Sequence, residues 1–516
     1  MSLADWPDGA AFVVERRIDS VDGLSQLGER LSLFVRPGMA ILLEGEIGAG
    51  KSTLARALIR ALAPRVATLD VPSPTFTLVQ SYDETRVPVL HADLYRIGST
   101  FELDELGLDE LLPSHLVIVE WPERMGQCQW GDVLRVCLTG RGKTRAVRME
   151  ATGLWKSSMK RDQEIDEFLK STRWSHANRQ FLEGDASFRR YETLEVEGRT
   201  SILMDMPARP DGPPVRHGKS YSAIAHLAED VRAVVAINQT LYAMGYSAPA
   251  IEAYDLCKGL AVIEDLGRSV YGRMIADGQD MWQPMLAAVD VLAHMADRDW
   301  PSSIKIDGGC QYDLSSYDME AQLIEVNLLP TWFWPHLYGR EIGQAELNQW
   351  NEIWENIIPL TKPDKPIWTL RDYHSPNLIW LAERDGLRRV GLIDTQDCVL
   401  GHPAYDLVSL LQDARVDVSL EQAGDLFDYY CQLRGAKGNF DRTRFEQAYA
   451  IVGAQRASKI LGIFARLSKR DQKHGYLRHI PRVSRYLERN LEAPILGSLK
   501  VWFDSHLPSA ERERLT

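Results

Sequence analysis

The chain has 516 residues, 45% of them apolar and 25% charged, which is enough for about three domains of ordinary size and too apolar for intrinsic disorder. Net charge is −13, with acidic residues in excess both in 1–150 and in 151–516, so neither part offers a broad basic surface to grip nucleic acid by its phosphates. Six scattered cysteines make no C-x-x-C pair and no zinc spacing, and no run nears the roughly 18 apolar residues of a membrane span; a cytoplasmic location without membrane contact is expected.

In chain order, residues 39–62 (MAILLEGEIGAGKSTLARALIRAL) set an apolar strand, a glycine loop and a helix with Leu54, Leu58 and Leu62 on one face. Two further apolar runs, 88–92 and 116–120, each lead to a polar or acidic residue, and a β-rich tail follows at 133–138 and 146–151. Alternating strands and helices predict an α/β layer with a parallel sheet. Residues 153–160 (GLWKSSMK) read as a linker before a charged helix. Paired strands follow around 187–205, then a Pro- and Gly-rich loop at 207–218, a strand at 260–264 and mostly helical patterns to the end. The expected organisation is an α/β P-loop NTPase domain at 1–152, a linker at 153–160, and a two-lobed α+β kinase-like domain with lobes at 161–270 and 271–516.

GEIGAGKS at 45–52 fits G-x-x-x-x-G-K-[ST], after a strand and opening a helix. The glycines let successive N–H groups turn around phosphates, and the helix N-terminus adds the positive end of its dipole. Gly45, Gly48, Ala49, Gly50, Lys51, Ser52 and Thr53 are therefore candidates for nucleotide binding, with Lys51 reaching the β and γ phosphates and Ser52 holding Mg2+. Such a loop also needs carboxylates for the metal and the attacking water. Asp93 in HADLYR and Glu120 in LVIVEWPER stand at strand ends, although a strand end is also an ordinary place for a solvated acid. No N-K-x-D guanine motif occurs, which favours ATP over GTP.

Together, GEIGAGKST, VPSPTFTLVQSY (71–82), HADLYR (91–96), FELDELGLDELL (101–112) and IVEWPER (118–124) resemble the TsaE family, the ATPase subunit of the bacterial machinery that makes threonylcarbamoyladenosine in tRNA. The resemblance covers nearly all of 10–150. It implies a mobile switch segment at 73–77, Asp93 and Glu120 as magnesium and catalytic acids, and Trp121 beside the nucleotide. It also implies partner subunits of the TsaB and TsaD type, so that tRNA is met only indirectly. Ser52 stands where the family usually has Thr, which keeps the hydroxyl.

Further on, LRDYHSPNLIWL (370–381) and VGLIDTQD (390–397) flank an Asp385-Gly386 turn signal. Asp372 falls in a loop, Asn377 five residues later and Asp394 at a strand end, the D-x-x-x-x-N then D layout of kinase-like phosphotransferases. In that layout Asp372 orients the acceptor hydroxyl and takes its proton, while Asn377 and Asp394 hold Mg2+ against ATP. Asp and Asn also favour plain turns. The order of the upstream segments supports the kinase reading: GDASFRRY (184–191), with Ser187, as a phosphate-covering loop, and GLAVIEDLG (259–267), with Glu264, Asp265 and Leu266, leading into an interlobe hinge.

With Met204-Asp205, GHPAYDLVSLLQDAR (401–415) and QRASKILGIFARL (455–467), these segments resemble the aminoglycoside phosphotransferase superfamily. Within it they resemble the AmgK group, kinases of the anomeric hydroxyl of N-acetylmuramic acid and N-acetylglucosamine. The resemblance spans most of 160–495 and implies an amino-sugar substrate, a sugar 1-phosphate used in cell-wall recycling, and Asp406 as a buried acid steadying the catalytic loop. Leu370 and Met204 replace the His and strand Lys of the wider superfamily; Arg189 or Arg190 is a candidate substitute cation, against a solvated loop arginine. In 327–339, Trp332 and Trp334 are candidates for a sugar-facing platform, against the core packing that such clusters more often serve, and His374 and Gln396 are candidates for sugar contacts. Two alternatives stay open: an aminoglycoside or other small alcohol as acceptor, or one half as a non-catalytic ATP-binding regulatory module.

Overall fold

The structure is a computed structural model that describes residues 11–515 except 65, 67, 68, 99–101, 104, 127–129, 141–143, 184–188, 307, 308 and 439. By internal packing the chain divides into two units, Met1–Met204 and Asp205–Thr516.

In the first unit a sheet is built from Phe12–Ile18 (β1), Ala40–Gly45 (β2), Val79–Tyr82 (β3), Val89–Asp93 (β4), Leu116–Glu120 (β5), Val133–Thr139 (β6) and Arg145–Ala151 (β7), in the order β1-β7-β6-β2-β5-β4-β3. A strand covered on both faces is apolar at every position rather than at alternate ones. β4 and β5 are buried throughout and β2 over its first four residues, and these three, with β6, form the parallel centre. Helices Val21–Ser32 (α1) and Lys51–Ala61 (α2) contribute Leu24, Leu27, Leu31, Leu54 and Leu58 to a core shared with Ile41, Leu43 and Ile118. The register sets Glu120 opposite both Leu43 and Asp93. The glycine loop and both acids therefore emerge at the carboxyl edge of the sheet, where open α/β sheets bind ligands.

Residues 153–160 are not a spacer but the first turns of an 18-residue helix, Gly153–Lys170 (α3). Trp155 and Met159, one turn apart, enter the same core as α1 and α2. The Asp132 carboxylate accepts the Leu154 N–H at 2.6 Å, satisfying a donor that a helix start leaves open. A hairpin of Asn178–Leu182 (β8) and Arg190–Val196 (β9) follows, then Arg199–Asp205. Buried Arg179 of β8 donates to Glu192 at 2.6 Å and to Asp162 at 3.0 Å, and Asp162 also accepts from Arg30 of α1 at 2.7 Å. Charges buried this deeply persist because they are paired.

The second unit is mainly helical. One of its cores gathers Phe333, Trp334, Trp350, Trp354, Ile451, Leu461, Ile480 and Trp502 around the helix Arg442–Asp471. Two short antiparallel pairs frame residues 370–377: Ile367–Thr369 with Val399–Gly401, and Leu378–Trp380 with Val390–Leu392. The Asp385-Gly386 step lies in the connection of the second pair, where Gly386 (φ 54°) opens a short 3-10 turn instead of a two-residue hairpin. Among the described residues no helix is long and apolar enough to cross a membrane.

Candidate active sites

The glycine loop needs its glycines. Gly45, Gly48 and Gly50 have φ of 140°, 80° and 109°, conformations that side chains disfavour, and a Cβ on Gly45 would run into the Leu138 carbonyl. Lys51, the first residue of α2, turns its Nζ back to the carbonyls of Gly45 (2.7 Å) and Glu46 (3.1 Å), 3.6 Å from the Trp121 ring centroid. Burial lowers its pKa, opposed by the charges of Glu120, Glu123 and Asp93. Ala49 is buried, its carbonyl accepting from Arg145 Nε at 2.6 Å, and Thr53 lies in the first turn of α2.

Around that lysine the two acids are already held. Ser52 Oγ donates to Glu120 Oε2 at 2.9 Å, and His91 Nε2 lies 3.0 Å from Glu120 Oε1. Asp93 Oδ2 accepts from Thr75 at 2.8 Å and Ser73 at 3.2 Å, and its Oδ1 accepts the Tyr95 N–H at 3.1 Å. Tyr95 also packs its ring 5.1 Å from that of Trp121. The structure thus brings together Lys51, Ser52, Asp93, Glu120 and Trp121 as the sequence motifs grouped them. It adds Thr75, His91 and Tyr95, which lie inside motifs quoted above but whose partners are 18, 29 and 26 positions away. Ser52, Asp93 and Glu120 offer the hard oxygen donors that Mg2+ prefers, and the glycine cradle suits phosphate.

In the second unit, buried acids shape the loop that carries Asp372. Asp406 accepts the N–H groups of Leu370 (2.7 Å) and Arg371 (2.8 Å), and Asp413 accepts from Ser375 through N–H (2.8 Å) and Oγ (2.6 Å). Burial pushes the Asp406 carboxyl up to about 7, against the pull of its two N–H donors. Between these anchors sits Asp372, its Oδ1 3.7 Å from His374 Nε2. Burial would raise the Asp372 pKa, but His374 and the charges of Lys459 and Arg456 hold it well below the usual carboxylate range. Asn377 Nδ2 donates to the Asp372 carbonyl at 3.1 Å, and the Asn377 carbonyl accepts the Ile393 N–H at 3.1 Å. Asn377 and Asp394 consequently stand at the same end of one hairpin. Asp394 (φ 60°) accepts from Gln396 Nε2 at 3.0 Å, so Gln396 contacts the acid that is the candidate metal ligand. Asn377 and Asp394 present amide and carboxylate oxygens, a donor set that fits Mg2+.

The remaining candidates are placed as follows. Glu264 pairs with Arg384 at 2.6 Å, Asp265 with Arg268 at 2.6 Å, and Leu266 is buried. Ser187 lies outside the described residues. Arg190 directs its guanidinium onto the Phe34 ring (4.5 Å) and the Leu33 carbonyl (3.2 Å), and Arg189 beside it is half-buried. Trp334 is 3% exposed and packs edge-on against Tyr338 and at a tilt against Trp502 within the helical core, with Trp332 half-buried against that core; this is a packing position, not a cleft mouth.

Comparison with known proteins agrees with this two-site picture. The model described as threonylcarbamoyl adenosine biosynthesis protein TsaE matches residues 18–152, and that of the phosphotransferase enzyme family (APH) matches 178–445. The chain is 40% identical over 354 residues to an N-acetylmuramate/N-acetylglucosamine kinase of Caulobacter vibrioides, covering 67% of this chain and 96% of that protein. It is 36% identical over 115 residues to a tRNA threonylcarbamoyladenosine biosynthesis protein TsaE of Synechocystis, covering 21% and 71%. The crystal structure of ADP-bound aminoglycoside phosphotransferase APH(2'')-Ib aligns with a TM-score of 0.40 at 16% identity, covering 65% of this chain and 99% of that one. The chain therefore belongs to the APH phosphotransferase family and, through its N-terminal part, to the TsaE family, the two joined in one polypeptide.

Proposed function

We propose that the chain is a bifunctional ATP- and Mg2+-dependent enzyme: a kinase of the anomeric hydroxyl of N-acetylmuramic acid and N-acetylglucosamine, joined to an ATPase that supports threonylcarbamoyladenosine formation in tRNA. The observation that carries the kinase reading is the Asp372, Asn377 and Asp394 constellation, held by Asp406 and Asp413. Asp372, kept ionised, accepts the proton of the sugar hydroxyl as its oxygen attacks the γ-phosphorus and ADP leaves. Asn377 and Asp394 would hold the Mg2+ that neutralises charge on the phosphates. The 40% identity with an amino-sugar kinase supports the acceptor class.

For the ATPase, Lys51 and the glycine loop bind the phosphates, Ser52 with Asp93 and Glu120 would hold Mg2+, and partner subunits of the TsaB and TsaD type complete the tRNA reaction. The relative of 36% identity supports that role. The decisive experiment supplies the intact chain with ATP, Mg2+ and N-acetylmuramic acid and identifies the phosphorylated hydroxyl. Formation of the 1-phosphate is expected. Preference for a kanamycin-like acceptor would overturn the amino-sugar reading. ATP hydrolysis is expected to be slow alone and faster with the partner subunits, and a fast isolated ATPase would count against that role.

A further inference from the structure

We propose that Glu325, which lies in none of the motifs above, is a positioning residue for the phosphoryl transfer, acting through Arg371 on the neighbouring catalytic Asp372. The inference rests on the kinase reading just given.

Arg371 has φ 67°. A left-handed conformation in a residue with a side chain persists only where the surroundings over-determine it. Here the backbone is fixed on both sides, with the N–H on Asp406 at 2.8 Å and the carbonyl accepting from Ser409 Oγ at 3.3 Å. The guanidinium is fixed as well: Nη1 donates to the Ala225 carbonyl at 2.8 Å and Nη2 to Glu325 Oε1. Both ends of the residue that aims Asp372 are therefore tied down.

Glu325 itself is 0% exposed on the helix Met319–Val326. Its Oε1 also accepts from Lys459 Nζ at 2.8 Å, and its Oε2 accepts from Gln455 Nε2 at 3.2 Å and from the Tyr317 hydroxyl. Four donors match the acceptor capacity of one carboxylate. Lys459, Arg371 and Tyr317 overcome the cost of burial and keep its pKa down at about 2. A buried ion cluster is seldom the cheapest way to make a core stable, since apolar residues of similar volume often serve as well. What this cluster supplies is geometry, because one carboxylate joins the catalytic loop to the helices Met319–Val326 and Arg442–Asp471. The second of these carries Lys459 and Arg456, whose charges add to the larger effect of His374 in keeping Asp372 ionised.

Misplacing a base by a fraction of an ångström costs turnover more than binding. In the full chain, Glu325→Gln is expected to lower kcat about tenfold to hundredfold, with the KM for ATP within about twofold of wild type. Glu325→Asp keeps the charge on a shorter arm and is expected to recover part of the loss. Arg371→Met should lower kcat by a similar factor. The double variant Glu325→Gln/Arg371→Met should fall no further than the worse single variant, since both cut one link. Additive losses, or a folded Glu325→Gln with kcat within about twofold of wild type, would overturn the proposal. Thermal unfolding reports whether each variant is folded. If Glu325→Gln is not, Glu325→Asp carries the test, and a fall in kcat at constant KM is still required. A wild-type chain that phosphorylates a different acceptor defeats the amino-sugar reading alone, and the same series is then read on that acceptor.

Discussion

The two sites solve one problem, bending a backbone into the left-handed region, in opposite ways. At the N-terminal site the bend is made where no Cβ exists, at Gly45, Gly48 and Gly50. In the kinase loop it falls on Arg371 and Asp394, both with φ near 60° and both carrying side chains. The strain that glycine avoids is there offset by acceptors buried elsewhere: Asp406 for the backbone of Arg371 and Glu325 for its guanidinium. The acids differ in the same sense. Asp93 and Glu120 are held directly, by hydroxyls, an imidazole and a backbone N–H on their own oxygens, whereas Asp372 is set by His374, by charges, and by a backbone that Asp406 and Asp413 hold on either side of it. A glycine solution is local and self-contained, and a buried-acid solution is distributed.

The contrast can be broken most sharply at Asp372. Asp372→Asn is expected to lower sugar phosphorylation by about 10³-fold with the fold intact, measured as kcat and by thermal unfolding. Next comes Lys51→Ala, expected to lower partner-stimulated ATP hydrolysis about 10²-fold while sugar phosphorylation continues; a joint loss would show that the sites do not work separately. A smaller effect belongs to Asp406→Asn. The amide offers one acceptor oxygen to two N–H groups and turns its own donor on the other, so kcat should fall about tenfold. The smallest effect is on the pH dependence of stability. Asp406, with its pKa up at about 7 from 3.8, holds its proton in the folded chain after the unfolded chain has lost it. Stability from this group therefore falls as pH rises from about 4 to about 7. Thermal unfolding across that range should show a shallower slope in Asp406→Asn than in wild type, the remainder coming from groups such as Asp397, which burial also raises, to about 6.

What could be read from the sequence follows from the same difference. The glycine loop, the strand-end acids and the Asp372, Asn377, Asp394 spacing are all local patterns, and each sits where its pattern put it. His91, Thr75, Asp413 and Glu325 act through partners 18 to 46 positions away, and no periodicity marks them. Trp334 illustrates a second limit: an aromatic run reads alike whether it faces a ligand or a core, and only the arrival of Trp502 from the C-terminal region decides for packing. The stretch 153–160 shows a third. Its serines and lysines suggested a spacer, but Trp155 and Met159 at helical spacing outweigh them once a core is present to receive them.

That last stretch decides where the polypeptide can be divided. A cut in 153–160 would strip Trp155 and Met159 from the hydrophobic centre of the ATPase module and leave Arg30 without Asp162 and Asp166. An N-terminal fragment ending near residue 152 should thus be soluble only with difficulty, and one reaching past Lys170 should behave better. The join between the two activities is in this sense a shared wall: the helix that starts where one family match ends, at residue 152, closes off the module before it, and through Arg179 it also anchors the hairpin of the module after it.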